Sequence, residues 1–516
     1  MEITFLGHAG FCVDTANCTV ITDPWLSPNG AFDSAWFQFP RNHHMAAFVQ
    51  EKLADDRKQR FIYISHEHKD HFDIEFLNTL RCRDFTFVVP KFCRDALRRQ
   101  LQDYGARLVA IEHDEEFGIP GGSLKLFLDD SGLNRDSALL VRADQTFLNF
   151  NDCKLYDQVP KIAAQEGSID VFACQFSGAT WHPTCYEYSK EAYERISRKK
   201  VISKFESVAQ CILNLKPRFY IPSAGPACFL DPMLFHLNCE PVNIFPRAPR
   251  IIEYLSRRIK NSTVEVKHMM PGDAMEVSSG ADLHKASKRV DESNVCEYLK
   301  EYAALYENLF AERQRSTANI APECLCDRLA AELSRKLASF KLHRQVSVPL
   351  YFRISDMNAG LRVDFINKRV ERSDEIPEEP YYMVSAPSWE VVRVLHGKLT
   401  WEDFSLTFRM RLSREPDIYQ TLLQGFLILE AEDLDWFCAQ LLNTNSKNER
   451  IVVEAGGKRF AIDRYCPHQG GDLKSGWVSE ERYLTCPRHG WKFDLANAGK
   501  CLSNDTCLNA IPLDDD

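Results

Sequence analysis

The sequence predicts an α+β protein in three parts: an αββα sandwich over residues 1–245, a mixed helical and α+β segment over 246–440, and a small all-β domain over 446–516. Strand-like apolar runs alternate with helical patterns in the first part, a charged helical stretch follows, and short glycine-bounded strands end the sequence. A chain of 516 residues also exceeds what one hydrophobic core usually serves.

Composition narrows the class of protein. The chain is 45% hydrophobic and 26% charged, and its net charge of −10 argues against a general nucleic-acid binder. There is no apolar run of transmembrane length, and MEITFLGHAGF lacks the basic start of a signal peptide. We therefore expect a cytoplasmic protein without a membrane span. Its 18 scattered cysteines are expected to be buried thiols or metal ligands.

The first part contains the strands of the predicted sandwich. ITFLGHAGFCVDT and CTVITDPWL are predicted to be two strands joined as a hairpin, and FIYI is a strand that runs into a histidine-rich loop and the helical DIEFLNTLRC. Further short strands are FTFVVP, ARLVAI, LKLFLDD, SALLVRA, TFLNFND, DVFACQF and RFYIPSAG. A long charged helix separates the last two. Two sheets with helices outside them is the layered arrangement that this pattern favours.

The second and third parts are shorter. KEYAALYENLFAERQ, SWEVVRVLHG and IYQTLLQGFLIL are predicted helices, whereas PLYFRIS and GLRVDFI are predicted strands. The polar NTNSKNER indicates a linker at 443–450, after which IVVEAGGKRFAIDRYC begins the β-rich end of the chain.

Two short loops near the end of the chain combine cysteine with histidine. Cys466 and His468 form C-x-H, and Cys486 and His489 follow as C-x-x-H. A zinc finger usually pairs cysteines in one half and histidines in the other. One thiolate and one imidazole in each half suit a [2Fe–2S] cluster whose irons are held by two cysteines and two histidines, although structural zinc stays an alternative.

CPHQGGDLKSGW and CPRHGWKFDLANAGKC together resemble a Rieske domain. The resemblance implies that Cys466 and Cys486 bind one iron, and that His468 and His489 bind the other. Such a cluster carries one electron and makes or breaks no bonds itself, so another site must use that electron.

SHEHKDH places several metal-binding side chains on one loop after the strand FIYI. The run resembles the metallo-β-lactamase fold, with an αββα sandwich. The resemblance implies that His66 and His68 bind one metal, that Asp70 and His71 bind a second, and that Asp152 bridges or completes the site.

The sequence departs from a dizinc hydrolase. No histidine occurs between residues 114 and 181, where one is expected, and LDDSGLNRDSALL offers Asp129, Asp130 and Asp136 there. The last expected histidine falls near Asp231 and His236, so Asp152 and Asp231 are the candidate catalytic carboxylates. His8 either lies beside the metal or shapes a turn. Histidines with carboxylates favour iron, mononuclear or dinuclear, over zinc.

Both modules occur together in the CMP-N-acetylneuraminate hydroxylases, which the chain resembles in ITFLGHAGF, YISHEHKDHFD, LNLKPRFYIPSAG and HGKLTWEDFSLTFRMRLSREPDIYQTLL. The vertebrate members carry the Rieske domain first, whereas here it is last. The resemblance implies an O₂-dependent monooxygenase. Its electrons would come from a ferredoxin, a cytochrome b5-like protein or a flavin reductase, and its substrate would be a small polar molecule, such as a CMP-sialic-acid-like sugar nucleotide, an amine or an amide.

Three further expectations complete the predictions. A substrate phosphate could be held by one of two arginine groups, formed by Arg409, Arg411 and Arg414 and by Arg247 and Arg250. A homo-oligomer is possible. Two other functions stay open: a metal-dependent hydrolase with a regulatory Rieske module, and an electron carrier with an inactive first domain.

Overall fold

The computed structural model describes residues 1–513 except for short gaps at 95, 131–132, 134, 179, 287–288, 316–321, 374–377, 379, 446–447 and 505. Part of the predicted linker at 443–450 falls in one of these gaps. Among the helices that are described, none combines the length and the apolar character needed to cross a lipid bilayer. Where the structure describes cysteines, each is a free thiol and most are buried.

The first part of the chain contains most of the strands. Its strands are β1 Glu2–Gly7, β2 Gly10–Asp14, β3 Cys18–Thr22, β4 Gln59–Tyr63, β5 Thr86–Pro90, β6 Arg107–Ile111, β7 Glu116–Ile119, β8 Gly122–Asp130, β9 Arg135–Arg142, β10 Thr146–Asn149, β11 Val171–Gln175, β12 Phe219–Ser223, β13 Glu265–Val266, β14 Ala274–Glu276 and β15 Asp282–His284. Its helices are α1 Met45–Ala54, α2 Ile74–Thr79, α3 Ala96–Leu101, α4 Val159–Glu166, α5 Trp181–Thr184, α6 Lys190–Leu215 and α7 Ala248–Arg258.

These strands form the predicted sandwich. Within the described residues they make two sheets, with the orders β15-β14-β1-β2-β3-β4-β5-β6 and β13-β12-β11-β10-β9-β8-β7. Phe11 and Phe147 pack between the sheets, with ring centroids 5.1 Å apart. Phe76 of α2 lies in the apolar layer outside the first sheet, and Ile212 of α6 lies in the layer outside the second. The αββα layering is confirmed.

The structure differs from the prediction at two places in this part. ITFLGHAGFCVDT is itself a hairpin of β1 and β2, because Gly7 and His8 turn the chain with φ angles of 107° and 53°. The sandwich also extends past residue 245, since β13–β15 add to the edges of both sheets. Strands of two or three residues carry too little alternation to be recognised in the sequence.

The middle segment packs helices around a smaller sheet. Its helices are α8 Val295–Ala304, α9 Glu307–Arg315, α10 Pro322–Ser339, α11 Ser388–Leu395, α12 Trp401–Leu406, α13 Thr421–Ile428 and α14 Ala431–Asn445, and its strands are β16 Leu350–Ile354, β17 Ala359–Asp364, β18 Arg369–Arg372, β19 Tyr381–Ala386 and β20 Arg411–Glu415. The strand order is β18-β17-β16-β19-β20. The core of this segment is continuous with Trp36 and Phe229 of the sandwich, so the two parts share one apolar interior.

The end of the chain is all β apart from single turns of 3₁₀ helix. Its strands are β21 Arg450–Ala455, β22 Lys458–Asp463, β23 Trp477–Ser479, β24 Tyr483–Thr485, β25 Lys492–Asp494, β26 Lys500–Cys501 and β27 Ile511–Leu513. They form small antiparallel sheets with the orders β21-β22-β27 and β23-β24-β25-β26. Helix α14 reaches Asn445, so the first residues of the predicted linker are helical.

Candidate metal centre and cluster-binding loops

The predicted metal-binding residues lie at strand ends along one edge of the sandwich. His66, His68, Asp70 and His71 occupy the loop between β4 and α2, and Asp152 follows β10. The loop is closed on itself, because the amide of His71 donates to the carbonyl of His68 at 3.0 Å. This closure holds the side chains of a short segment in one small volume.

His8 joins this group from the turn between β1 and β2. Its Nε2 lies 3.1 Å from Oδ2 of Asp70. His8, His71 and Asp152 each offer one ligand atom, and these three atoms lie within 4.8 Å of one another. Nε2 of His71 lies 3.6 Å from Oδ1 of Asp152. The structure supports both roles left open for His8, because its backbone forms the turn and its side chain lies beside the predicted metal ligands.

Several polar atoms in this group are buried without a hydrogen bond of good geometry within the described part of the chain. These atoms are Nε2 of His8, Oδ1 of Asp70, Oδ1 of Asp136, Nε2 of His71 and Oδ1 of Asp152. Leaving buried polar atoms unpaired is costly unless something binds them. Imidazole nitrogens with carboxylate oxygens are a donor set that first-row transition metals accept. The residues present therefore fit a metal ion.

Asp23 and Ser65 orient the histidines from behind. Nδ1 of His71 donates to Oδ2 of Asp23 at 2.8 Å, which leaves Nε2 of the same ring free to bind a metal. Asp23 also accepts from the amide of Ser65 at 2.8 Å and from its hydroxyl at 2.6 Å. Because Asp23 and His71 are both fully buried, this orientation is fixed.

The charges within the group interact strongly. Burial alone would lower the pKa of His71, but Asp70, Asp152 and Asp23 raise that pKa well above its ordinary value. Burial opposes ionisation of Asp152, yet His71 lowers the pKa of Asp152 below its usual range. Burial and the charge of Asp152 raise the pKa of Asp136 well above normal. A dense set of carboxylates around imidazoles suits a cation.

His66 and His68 lie beside the group formed by His8, His71 and Asp152, and the ring centroids of His66 and His71 are 4.3 Å apart. Nδ1 of His66 lies 2.9 Å from Oδ1 of Asp136, and its Nε2 lies 2.7 Å from Nδ1 of His68. Nε2 of His68 contacts Oε1 of Glu402 in helix α12 at 3.2 Å. Burial lowers the pKa of His68, but the hydrogen bond and charge of Glu402, together with the charges of Asp70 and Asp136, outweigh burial and raise the pKa to about 9.

Asp231 does not join the metal-binding group, which corrects its assignment as a catalytic candidate. Its Oδ2 accepts from Nε of Arg409 at 2.7 Å, and its Oδ1 accepts from the amide of Met233 at 2.9 Å. The carboxylate is therefore committed to a buried ion pair and a local turn. His236, the neighbouring alternative, is half exposed and lies 3.8 Å from Glu240.

An apolar cavity opens beside the metal-binding group. His8, Asp70 and Asp152 form one wall, and the remaining lining comprises Trp36, Gln175, Ser177, Gly178, Ala224, Gly225, Pro226, Ala227, Phe229 and Phe245. Among these described residues there is no lysine or arginine. The described lining of the cavity therefore offers no positively charged side chain to an anionic group next to the metal ligands.

The two cysteine–histidine loops have the same backbone structure. The amide of Cys466 donates to the carbonyl of Gly471 at 2.9 Å, and the amide of Cys486 donates to the carbonyl of Trp491 at 2.8 Å. Gly470 and Gly490 donate back to the cysteine carbonyls at 2.8 and 2.9 Å. Both glycines have φ near 70°, a conformation that other residues rarely adopt.

The four predicted cluster ligands meet where these loops approach each other. The ring centroids of His468 and His489 lie 4.7 Å apart, and His468 stacks on Trp491 with a centroid distance of 4.3 Å. The thiols of Cys466 and Cys486 share a hydrogen bond, which lowers the pKa of Cys486. Nδ1 of His468 is buried without a hydrogen-bond partner among the described residues. Two thiols and two imidazoles in this arrangement fit a [2Fe–2S] cluster.

Two contacts of the metal-binding group could not be anticipated from local sequence. Asp136 is one of several carboxylates near the position where a histidine was expected, and the packing of the two sheets against each other brings it to His66. Glu402 lies in another segment of the chain, and no sequence signal connected it with His68. Asp23 was notable only for its place in TDPWL.

The comparisons with known families agree with this architecture. Residues 2–134 match the beta-lactamase superfamily domain, and residues 426–512 match the Rieske [2Fe-2S] domain. The predicted fold class, a β-lactamase-like sandwich with a C-terminal Rieske domain, is confirmed.

Related proteins extend over most of the chain. A protein of Mycolicibacterium smegmatis, named as a Rieske 2Fe-2S iron-sulfur protein, is 29% identical over 98% of this chain and 98% of its own length. The cytidine monophosphate-N-acetylneuraminic acid hydroxylase of Mus musculus is 24% identical over 82% of this chain and 72% of its own. The predicted resemblance to these hydroxylases is confirmed, and relatives named as oxygenases agree with the predicted oxidoreductase.

Among solved structures, CmlA, a diiron beta-hydroxylase from Streptomyces venezuelae, is 19% identical, covering 52% of this chain and 53% of its own, with a TM-score of 0.35. At that score the likeness says nothing about chemistry.

Proposed function

We propose that this protein is a Rieske-type non-haem iron monooxygenase that hydroxylates or N-oxygenates a small molecule. The observation that carries the proposal is the pair of ligand sets in one chain. One is the group of unpartnered buried atoms around His8, His71 and Asp152, and the other is the pair of loops that present Cys466, His468, Cys486 and His489. Reductive O₂ chemistry requires a one-electron carrier together with a metal site, here one formed by histidines and carboxylates.

The chain's own residues would prepare both sites. When bound, the cluster supplies electrons one at a time and the iron supplies O₂ binding and activation. Asp23 accepts the Nδ1 proton of His71, which keeps Nε2 available. Glu402 holds His68 from the middle segment. The aromatic walls of the cavity, including Trp36 and Phe229, exclude water from the reacting end of the substrate.

The cavity narrows the choice of substrate. Its described lining has no cationic side chain for a phosphate or carboxylate, so the reacting end is an N-acyl methyl group, an amine or an amide. The predicted phosphate-binding arginines lie elsewhere. Arg409 is fully buried among Asp231 and Glu390, Arg247 pairs with Glu292, and Arg411 lines a separate pocket. A nucleotide sugar would therefore have to place its phosphates outside this cavity.

The test is a single-turnover oxygenation. Purified protein is reduced without air and then exposed to ¹⁸O₂ in the presence of CMP-sugars, small amines and small amides. We expect one substrate class to gain one oxygen atom by mass spectrometry, and we expect iron beyond that of the [2Fe–2S] cluster. Zinc in place of this iron, with hydrolysis and no oxygen gain, would favour the hydrolase alternative. Redox activity that survives chelation of the first-domain metal would favour an electron carrier.

A further inference from the structure

Arg488 lies inside the second cluster-binding loop, between Cys486 and His489, and is buried. Its Nη1 donates to Oδ1 of Asp129 at 3.0 Å. Its Nε and Nη2 donate to the two oxygens of Asp157 at 3.1 and 3.0 Å. Both carboxylates belong to the sandwich and are almost completely buried. A bidentate guanidinium–carboxylate pair of this kind fixes both distance and orientation.

The first cluster-binding loop is attached to the same carboxylate. Oδ2 of Asp157 accepts from the amide of Asp472 at 2.9 Å, and its carbonyl accepts from the hydroxyl of Ser475 at 2.8 Å. Gly490 of the second loop lies against α6, where a Cβ would collide with the hydroxyl of Ser203. Both loops of the cluster site therefore dock on the sandwich of their own chain.

The docking carboxylates are directly connected to the metal-binding group. Asp157 ends the 3₁₀ turn Leu155–Asp157, which follows Asp152 in the chain. Asp129 is the cross-strand partner of Asp136 in the pairing of β8 with β9. Oδ1 of Asp136 lies 2.9 Å from Nδ1 of His66. Arg488 is therefore linked to the metal ligands through two short series of residues, one through Asp157 and one through Asp129.

Lys204 of α6 provides a third connection. Its Nζ donates to the hydroxyl of Tyr156 and to Oε1 of Gln175, both at 2.6 Å. Gln175 lines the cavity beside Asp152. Lys204 belongs to α6, the helix on which Gly490 of the second loop lies, so it joins that helix to the cavity wall.

We propose that the cluster passes its electron to the metal centre of the same chain, and that Arg488, held by Asp129 and Asp157, is the positioning residue for this transfer. The inference rests on the proposed function. Each transfer oxidises the reduced cluster by one electron and reduces the metal centre by one. Insertion of one oxygen atom consumes two electrons and two protons per O₂, with water as the second product, so an external electron-donor protein must reload the cluster between transfers.

The first experiment asks whether the electron crosses between chains. Cys486→Ser, which removes a cluster ligand, and His71→Ala, which removes a metal ligand, are co-expressed with different affinity tags. Each variant is shown beforehand to keep the other metal site by metal content and EPR. Doubly purified mixed complexes, or equimolar mixtures if the protein is a monomer, are expected to have no more activity than the two variants separately. Restored activity would overturn transfer within one chain.

The second experiment measures the transfer itself. The reduced cluster is mixed with O₂ and substrate in a stopped-flow instrument, and its oxidation is followed by visible absorption. Since a displacement of about 1 Å can cost ~100-fold in rate, Arg488→Lys and Asp157→Asn are expected to oxidise roughly 10- to 100-fold more slowly. Cluster content and EPR g values should stay unchanged. Arg482→Lys is the matched control, because Arg482 pairs with Asp494 on the surface of the same domain.

The outcomes separate the inference from the proposed function. Equal oxidation rates in Arg488→Lys, Asp157→Asn and the control would overturn the positioning role. If Arg488→Lys fails to hold a cluster, Asp157→Asn decides, because Asp157 lies outside the cluster loops. A wild-type cluster that is not oxidised faster with substrate and O₂ contradicts the proposed function instead. Hydrogen exchange gives a readout independent of turnover: both variants should increase exchange in residues 466–475 and 486–491, and the control should not.

Discussion

Asp23→Asn should weaken metal binding without touching a metal ligand. Asp23 lies behind His71, where its carboxylate accepts the Nδ1 proton at 2.8 Å. It also accepts from the amide and the hydroxyl of Ser65 at 2.8 and 2.6 Å. An asparagine of the same shape removes the negative charge and turns one acceptor into a donor. The Nδ1 proton of His71 then meets a weaker partner, so the ring can adopt the other tautomer or rotate.

The magnitude follows from the number and kind of bonds affected. Hydrogen bonds to a charged group contribute about 1.5–3 kcal/mol each, and the substitution weakens up to three of them without removing the side chain. Loss of a residue that orients a metal-binding histidine typically costs about 10- to 100-fold in metal affinity. That range corresponds to roughly 1.4–2.7 kcal/mol, which is about the contribution of one hydrogen bond to a charged group.

The assay is a competition titration of the first-domain metal against a chelator of known affinity, read by metal analysis. Asp14→Asn is a matched control, because Asp14 lies at the far end of β2 and pairs with Lys52 and Lys58 instead. We expect the control to bind metal like the wild type. Wild-type affinity in Asp23→Asn, with the fold intact by circular dichroism, would refute the assignment of His71 Nε2 as a metal ligand.

Three further predictions concern the cluster and stability. Cys486→Ser should abolish the visible absorption and EPR signal of the cluster and retain the first-domain metal, whereas Cys507→Ser, at an exposed thiol, should retain both. Burial lowers the pKa of Lys336 from 10.5 to about 7, so the unfolded chain binds the proton more tightly than the folded chain. Lys336 therefore lowers the free energy of unfolding, fully below about pH 7 and not at all above about pH 10.5. Lys336→Met should therefore stabilise the fold by roughly 1–3 kcal/mol at pH 7 and by less at pH 10, measured by urea unfolding. Gly425→Ala should lower the free energy of unfolding by about 1–3 kcal/mol, because the new Cβ would overlap the ring of Phe437.

The predicted ligands that the structure holds on one loop are those that are close together along the chain, and their roles as ligands stay predictions. His66, His68, Asp70 and His71 share one loop, and their chemistry was readable because the loop directly follows a buried strand. The two cluster-binding loops could be recognised in the sequence for the same reason, since each contains one cysteine, one histidine and a glycine with positive φ. Short-range spacing determines which side chains can meet at one ion.

The remainder of the site depends on tertiary contacts that spacing does not encode. Asp136 on β9 of one sheet reaches His66 after β4 of the other, and Glu402 reaches His68 from the middle segment. Asp231 was misassigned because its position in the chain suggested a ligand, whereas the buried guanidinium of Arg409 claims its carboxylate. Of the arginines predicted to bind phosphate, Arg409 is buried and paired with internal carboxylates, which makes it unavailable to a substrate.

The middle segment contributes contacts to the candidate metal site and to the cavity beside it, so it is more than a spacer between two domains. Glu402 supplies a contact to His68, and Phe408 packs on Trp36, which lines the cavity. Arg409 fastens this segment to Asp231 and to the carbonyl of Asp33 in the sandwich. Because these contacts are buried, displacing the segment would open the cavity and release His68 together. Substrate selectivity should therefore depend on residues of all three parts, and neither the sandwich alone nor its pairing with the cluster domain alone would retain it.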